Sequence, residues 1–257
     1  MNKRLTLNSF YTLIKFDEID STNDELKRLI YHSSGTCEGT VVWALCQKAG
    51  KGRRGKQWFS PPGNLYFSLL LKPETSIQNT GQIGFIASNT MADIIEQYSN
   101  HQIKINLKWP NDLLIKKHKI GGILLESLTS LQSTLLLDWL IIGIGININH
   151  YPPDNPYPVT SLFKENLILM TSDLTIFLYS FLNSFYVNYI KWKKNGFSFI
   201  KDEWLQKAEG LKKNISIKLE DKIVSGYFET IDETGALILI DPNGIKHKIT
   251  TGDVSFG

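Results

Sequence analysis

Cysteine is almost absent: the chain holds two, Cys37 and Cys46, in 257 residues. They match no metal-ligand or redox spacing, which removes disulfide-framework and zinc-ribbon readings and favours a reduced, cytoplasmic setting. Long apolar runs are also missing. The strongest candidate, Leu135 to Ile148, is broken by Asp138, two glycines and Asn147, so no membrane-spanning helix is expected. Met1 to Asp20 carries Lys3 and Arg4, but Asn8, Ser9, Thr12 and Lys15 interrupt its apolar residues, so no signal peptide is read there. No charge sign dominates. The net charge is +3, too small for a generally nucleic-acid-binding protein. Internal repeats and low-complexity segments are lacking as well.

What is present is an ordinary globular mixture, 42% apolar and 21% charged, long enough for one large domain or a large and a small one. Thr12 to Ile19 reads as a strand. A helix should follow, since Thr22 and Glu25 stand at capping-box spacing and Leu26, Leu29 and Ile30 share a face. Gly39 to Cys46 and Leu65 to Leu71 read as buried strands, and Gln82 to Tyr98 as a helix. Leu113 to Ser127 suggests a hairpin around Lys116 to Lys119. Leu135 to Asn149 suggests one long strand or a strand pair, and Tyr151 to Pro158, with four prolines, a loop. The clearest helix is Asp173 to Trp192, whose Leu174, Phe177, Leu178, Phe181, Leu182 and Phe185 make a core stripe; Gly196 would end it. A short helix is expected near Phe199 to Ala208. After Gly210, four short β-rich runs (Ile215 to Leu219, Ile223 to Ile231, Ala236 to Ile240, Ile245 to Thr250) separated by turn signals indicate a small β-barrel. The expected division is therefore 1–209 and 210–257.

The segment Gln47-Lys48-Ala49-Gly50-Lys51-Gly52-Arg53-Arg54-Gly55-Lys56-Gln57-Trp58 is the most informative. From Gly39 to Pro73 there are six basic residues and no acidic one, and five of the six lie between Lys48 and Lys56. Glycines let backbone amides converge on an anion, and the cations add charge-assisted hydrogen bonds, so phosphate or a phosphate-linked species suits the loop. A solvated basic loop and a nucleic-acid patch are the competing readings. Gly50, Gly52 and Gly55 spell GxGxxG, but Pro61 and Pro62 forbid the helix a dinucleotide site needs. Gly50 to Lys56 also spells GxxxxGK, yet Gln57 stands where a P-loop needs a hydroxyl. Kinase catalytic motifs are absent.

Two further motifs stand out. Lys108-Trp109-Pro110-Asn111-Asp112 precedes Lys119-Ile120-Gly121-Gly122-Ile123-Leu124-Leu125-Glu126. A hairpin here would bring Asp112 and Lys119 to one mouth, a carboxylate for Mg²⁺ beside phosphates and a lysine for anionic charge. A plain turn and a wet hairpin tip are the alternatives. Gly143-Ile144-Gly145-Ile146-Asn147-Ile148-Asn149 has period two. Its isoleucines would face one way and its glycines and amides the other, leaving bare backbone that a ligand or a crowded contact can approach.

Taken together with Asp20-Ser21-Thr22-Asn23, these motifs give a chain that resembles the biotin–protein ligases (biotin–[acetyl-CoA-carboxylase] ligases) over nearly its whole length. The resemblance implies an α+β fold: a mixed-sheet, class II synthetase-like catalytic domain followed by a small SH3-like barrel. It implies two half-reactions, in which biotin and ATP give biotinyl-5′-AMP and pyrophosphate, and a lysine of a biotin carboxyl carrier protein then takes the biotin and releases AMP. Mg²⁺ would accompany ATP. Ser21, Thr22, Asn23, Gln47, Lys51, Gly52, Arg53, Lys119, Gly122 and Leu124 would bind biotin. Arg53, Arg54, Trp58, Lys108, Asn111 and Asn147 would bind ATP, with Trp58 as the adenine-stacking surface. Arg53, Lys119 and Asp112 would be catalytic, Asp112 serving Mg²⁺ or the incoming lysine. The chain departs from the family string at Lys51 and Lys56, where arginine is frequent, so the planar fork is lost there.

Some members of that family also repress transcription through an N-terminal helix-turn-helix. About a dozen residues precede the first strand, too few for that motif, so a ligase that binds no DNA is expected, as a monomer or homodimer. A lipoate or octanoate ligase is the alternative within the fold, and a basic nucleic-acid module the alternative outside it.

Overall fold

The computed structural model describes residues 6–33, 35–128, 138–169 and 173–256. A seven-stranded sheet forms the larger body from β1 (Thr12–Ile19), β2 (Thr40–Gln47), β3 (Leu65–Leu71), β4 (Asn106–Lys108), β5 (Asp112–Ile115), β6 (His118–Leu128) and β7 (Trp139–Ile146). Their order is β1-β2-β3-β7-β6-β5-β4. Only β1 and β2 pair in parallel, joined by the crossover helix α1 (Thr22–His32); the other pairs are antiparallel. A parallel pair needs such a crossover, and this one carries the Ser21-Thr22-Asn23 segment to the end of β1.

Side-chain alternation gives the sheet two unequal faces. Val41, Trp43, Phe67, Leu69, Ile142, Ile144 and Ile146 pack on one face with α2 (Gly81–Tyr98), α3 (Asp173–Asn195) and α4 (Ser198–Lys207). The expected α3 stripe, Leu174 through Phe185, is buried there, and Gly196 ends the helix at φ +79°. Leu26 of α1 meets Val42, Leu70 and Ile141 on the other face. That second cluster covers only one end of the face. Toward the other end the register sets Ala44, Tyr66, Gly145, Gly122, Asp112 and Lys108 side by side across five strand pairings, with none of the described α-helices packed over them.

Three details differ from the sequence-based expectation. The cap of α1 is Ser21, whose Oγ accepts from Asp24 N at 3.5 Å; Thr22 opens the helix with its hydroxyl turned away to Gln47, and Glu25 pairs with Arg28 instead of closing a capping box. The predicted strand over Leu135 to Asn149 is β7 alone, and residues 135–137 lie outside the described residues. After Ile146 the chain leaves the sheet because Asn64 Oδ1 gathers the backbone N–H groups of Ile148, Asn149 and His150 at 2.8–2.9 Å. The hairpin turns at Lys116 and Lys117, both at positive φ, the paired conformation of a tight two-residue turn.

The C-terminal strands are β8 (Asn214–Lys218), β9 (Ile223–Ile231), β10 (Leu237–Ile240), β11 (Lys246–Ile249) and a fifth that the sequence reading missed, β12 (Asp253–Phe256). They form an antiparallel sheet in the order β11-β10-β9-β8-β12. The pairings make β11 and β12 point the same way at opposite edges, yet only residues 250–252 join them. Strands are spaced ~4.8 Å apart, so flat edges would lie farther apart than that link can reach. The sheet must roll up, as expected for the small barrel. It docks on the larger body through the β9–β10 turn: Trp109 Nε1 donates to Gly235 O at 3.0 Å and Gln82 Nε2 donates to Glu233 O at 2.6 Å.

Candidate active site

The uncovered end of the sheet forms the floor of a cavity of about 1190 Å³, and all of the site residues expected from the sequence line it. Gly145 and Gly122 leave its floor as bare backbone. A Cβ on Gly145 would lie 2.5 Å from Trp58 Nε1, and one on Gly143 2.3 Å from Asn23 Oδ1. The glycines therefore make room for neighbouring side chains that close on the sheet.

One half of the cavity is a slot of uncharged hydrogen-bonding groups. The Thr22 backbone N–H and Oγ1 reach Gln47 Oε1 at 2.9 and 3.1 Å. Gln47 Nε2 donates to Ser60 Oγ at 3.0 Å, and Ser60 Oγ donates to Trp58 O at 2.8 Å. Asn23, nearly fully buried, donates Nδ2 to Glu126 Oε2 at 2.6 Å and meets Ser68 Oγ through Oδ1. Leu124 lies on the same strand face as Gly122.

The other half is ringed by cations. The segment from Gly50 to Trp58 is a closed turn: Trp58 N donates to Gly50 O at 2.9 Å, Gly52 N donates to Lys56 O at 2.7 Å, and Arg54 sits at φ +55°. Gly50 is required there, because a Cβ would lie 2.4 Å from Ser60 Oγ. From this turn Arg53 Nη1 donates to Asn111 Oδ1 at 3.1 Å, while Asn111 Nδ2 donates to Ile123 O at 2.8 Å. Burial lowers the pKa of Arg53, with the Asp253 and Asp112 carboxylates acting the other way; burial likewise lowers that of Lys108. A desolvated cation gains most from an incoming anion.

Lys119 arrives through a β-bulge. The β5–β6 register slips between Leu113 and Leu114, and such a slip re-aims a side chain. Lys119 Nζ thereby lies 3.4 Å from where a Cβ on Gly122 would sit, 2.6 Å from Asp112 Oδ1 and 5.2 Å from the Trp58 ring centroid. Its backbone is pinned by Pro158 O and the Thr160 N–H, both at 2.9 Å. Trp58 lies against the sheet at Gly145, and its Nε1 has no hydrogen-bond partner. Asn147 Nδ2 donates to Thr160 O at 3.1 Å.

Sequence reasoning missed part of this wall. Thr251 Oγ1 accepts from Arg53 and Arg54 at 3.3 Å each, and Asp253 Oδ2 pairs with Lys56 at 3.3 Å. Lys108 Nζ lies 5.6 Å from the Phe256 ring. No local signal marks these residues, because they come to the site only when the rolled C-terminal sheet docks. Ser68, unremarkable inside an apolar strand, and Glu126, part of a recognised motif but without a role, were also missed.

An uncharged slot opening onto a ring of half-buried cations has the chemistry of an enzyme site for anionic ligands. Comparison with known proteins gives the class. The biotin/lipoate A/B protein ligase family model matches residues 15–147 and the biotin protein ligase C-terminal domain model matches residues 211–257. A biotin–[acetyl-CoA-carboxylase] ligase of Paracoccus denitrificans is 30% identical over 93% of this chain and 98% of its own length. The bifunctional ligase/repressor BirA of Bacillus subtilis is 33% identical over 95% of this chain and 74% of its own. The structure of the Aquifex aeolicus biotin protein ligase in complex with biotin and ATP superposes with a TM-score of 0.79 at 28% identity, covering 96% of this chain and 98% of that one. The chain belongs to the biotin/lipoate A/B protein ligase family, in its biotin protein ligase branch.

Proposed function

We propose that this protein activates biotin with ATP and transfers it to a lysine of a biotin carboxyl carrier protein, and that the residues described above divide that work. The observation that carries the reading is the division of one floor into a neutral slot and a cationic ring. A ureido head has N–H donors and a carbonyl acceptor, which suits Thr22, Asn23 and Gln47, with Ser21 capping the helix that presents Thr22 and Asn23 and with Gly122 and Leu124 lining the floor. The tail carboxylate then lies among Arg53, Lys119 and the Lys51–Gly52 turn.

In the first half-reaction a biotin carboxylate oxygen attacks the α-phosphorus of ATP and pyrophosphate leaves. Two anions must meet for this, so fixed cations on both sides lower the barrier. Arg53 and Lys119 supply them. Arg54, Lys108, Asn111 and Asn147 receive the nucleotide, and Trp58 gives adenine a stacking face once its indole leaves Gly145. In the second half-reaction the carrier amine attacks the acyl carbon, its proton departs, and AMP leaves. Asp112, whose Oδ1 is paired with Lys119 Nζ at 2.6 Å, is the carboxylate that would hold magnesium brought by a triphosphate, and the ion would supply charge neutralisation at the phosphates. Among the described residues no cluster of three or more possible ligands forms a dedicated metal cage.

The division at 209/210 separates the catalytic body from the small barrel. No described helix is long and apolar enough to cross a membrane; with carrier proteins as partners in place of DNA, a cytoplasmic site of action fits. The test is transfer of labelled biotin to a carrier domain with and without ATP, beside pyrophosphate exchange with biotin and with lipoate. ATP-dependent labelling and exchange with biotin alone are expected; exchange with lipoate alone would replace this reading with the lipoyl one.

A further inference from the structure

The neutral slot ends on Glu126. This residue shares a strand face with Gly122 and Leu124, and it touches no position where substrate is expected. Its Oε2 accepts from Asn23 Nδ2 at 2.6 Å, and its Oε1 accepts from Lys27 Nζ at 2.6 Å. Beyond Asn23 the oxygens continue in a row. Asn23 Oδ1 lies 2.5 Å from Ser68 Oγ, Ser68 Oγ lies 2.7 Å from Thr22 Oγ1, and Thr22 Oγ1 lies 3.1 Å from Gln47 Oε1.

These three oxygen–oxygen contacts need three hydrogens, and the two hydroxyls bring one each. Which contact goes short is decided at the far end. Asn23 and Lys27 present only donors to Glu126, so the carboxylate fixes the Asn23 amide with nitrogen toward itself and oxygen toward Ser68. The Ser68 hydrogen must then go to Asn23. Thr22 has one hydrogen for two acceptors, Ser68 Oγ and Gln47 Oε1. Gln47 cannot turn over to help, because Ser60 donates to Trp58 O and so holds Gln47 Nε2 as a donor. An unfilled lone pair is left at the Thr22–Gln47 end, inside the slot.

We infer that Glu126 is a positioning residue that sets the direction of this chain and so makes its Thr22–Gln47 end an acceptor for ligand N–H groups. With a donor in place of the carboxylate the row would reverse. Asn23 Nδ2 would serve Ser68, Ser68 would serve Thr22, and Thr22 would serve Gln47. All three contacts would then be filled, Gln47 Oε1 would be saturated by the Thr22 N–H and hydroxyl, and the slot would keep one acceptor fewer, only the second lone pair of Thr22 Oγ1. The inference rests on biotin being the ligand of this slot.

The experiment is calorimetric binding of biotin, with steady-state KM and kcat, for four forms of the full chain. In Glu126→Gln, Lys27 claims the carboxamide oxygen and leaves Nε2 facing Asn23. Its Kd and KM for biotin are expected to rise by at least about tenfold, with kcat within about threefold of the parent. Lys27→Ala keeps the carboxylate and is expected to bind biotin as the parent does. In Lys27→Ala with Glu126→Gln the carboxamide is free to turn its oxygen to Asn23, and tight binding should return. A merely structural role would not produce that recovery. Parent-like binding by E126Q, or a double variant as weak as E126Q, overturns the inference while the ligase reading stands. A parent protein that takes up no biotin overturns both. Should E126Q not fold, Ser68→Ala cuts the same chain: it is expected to weaken biotin by at least about tenfold, and undiminished affinity there overturns the inference.

Discussion

Arg53 and Lys119 approach one spot from different elements, a glycine-rich turn and a bulged strand, which ties their predicted effects to different steps. Arg53→Ala is expected to weaken retention of biotinyl-AMP and Lys119→Ala to slow its formation, each by more than tenfold (~1.4 kcal/mol). Rapid-quench measurement of adenylate formation and release checks both, and normal formation with normal retention in both variants would refute the assignment. Trp58 offers a second test. Its indole N–H is buried and unpaired over Gly145, an arrangement that costs energy and that a ligand entering the floor must disturb. Biotin and ATP are expected to change the tryptophan emission, and Trp58→Phe to abolish most of that change. The basic residues of the Gly50 to Trp58 turn were legible from sequence because they cluster in an acid-free stretch, whereas Lys108 and Lys119 stood out only as members of their motifs. Ser68, Glu126 and Asp253 were not, since a serine within a strand, a glutamate on its flank and an aspartate near the C-terminus acquire meaning only from what faces them.

Among the elements, β7 carries the most information per residue. Its alternation was readable: Ile144 and Ile146 go to the core and Gly143 and Gly145 to the cavity, as period two requires. Where it stops was not readable, because the stop is imposed by Asn64, more than seventy positions earlier. The bulge that turns Lys119 inward was equally hidden, and so was β12. Gly143→Ala is expected to weaken biotin by at least about tenfold, because its Cβ would lie 2.3 Å from Asn23 Oδ1 and must displace the amide. Gly145→Ala instead displaces Trp58, so its effect should appear mainly as a changed affinity for ATP, with biotin affinity close to the parent's. Titration of each variant with biotin and with ATP separates the two. Equal losses for both ligands in both variants would show that the floor merely collapses.

For the molecule as a whole, the question is how the rolled sheet stays on the catalytic body. Its β9–β10 turn is built around Asp232, whose Oδ1 accepts from Thr234 N, Thr234 Oγ1 and Ala236 N and whose Oδ2 meets Lys248 at 2.7 Å. Burial pushes this carboxyl up, but Lys248 and the Thr234 and Ala236 donors prevail and hold it down at about 2, below the ordinary 3.8. A carboxylate depressed on folding contributes stability above its unfolded pKa and loses it as pH falls through the folded one. Asp232→Asn is therefore expected to cost about 2 kcal/mol at pH 7, a deficit that shrinks between about pH 4 and pH 2. Urea unfolding across that range checks it, and a deficit independent of pH would assign the loss to packing. The presence of a second, β-rich unit was legible from its turn spacing; its contribution to the catalytic cavity was not, because docking is set by contacts far apart in sequence.

The docked sheet also makes one end of the cavity more fragile than the other. Thr251 and Asp253 hold Arg53, Arg54 and Lys56 only while the rolled sheet stays in place. A transient undocking of that sheet would release the cationic rim, whereas the uncharged slot, built wholly from the larger body, would keep its shape.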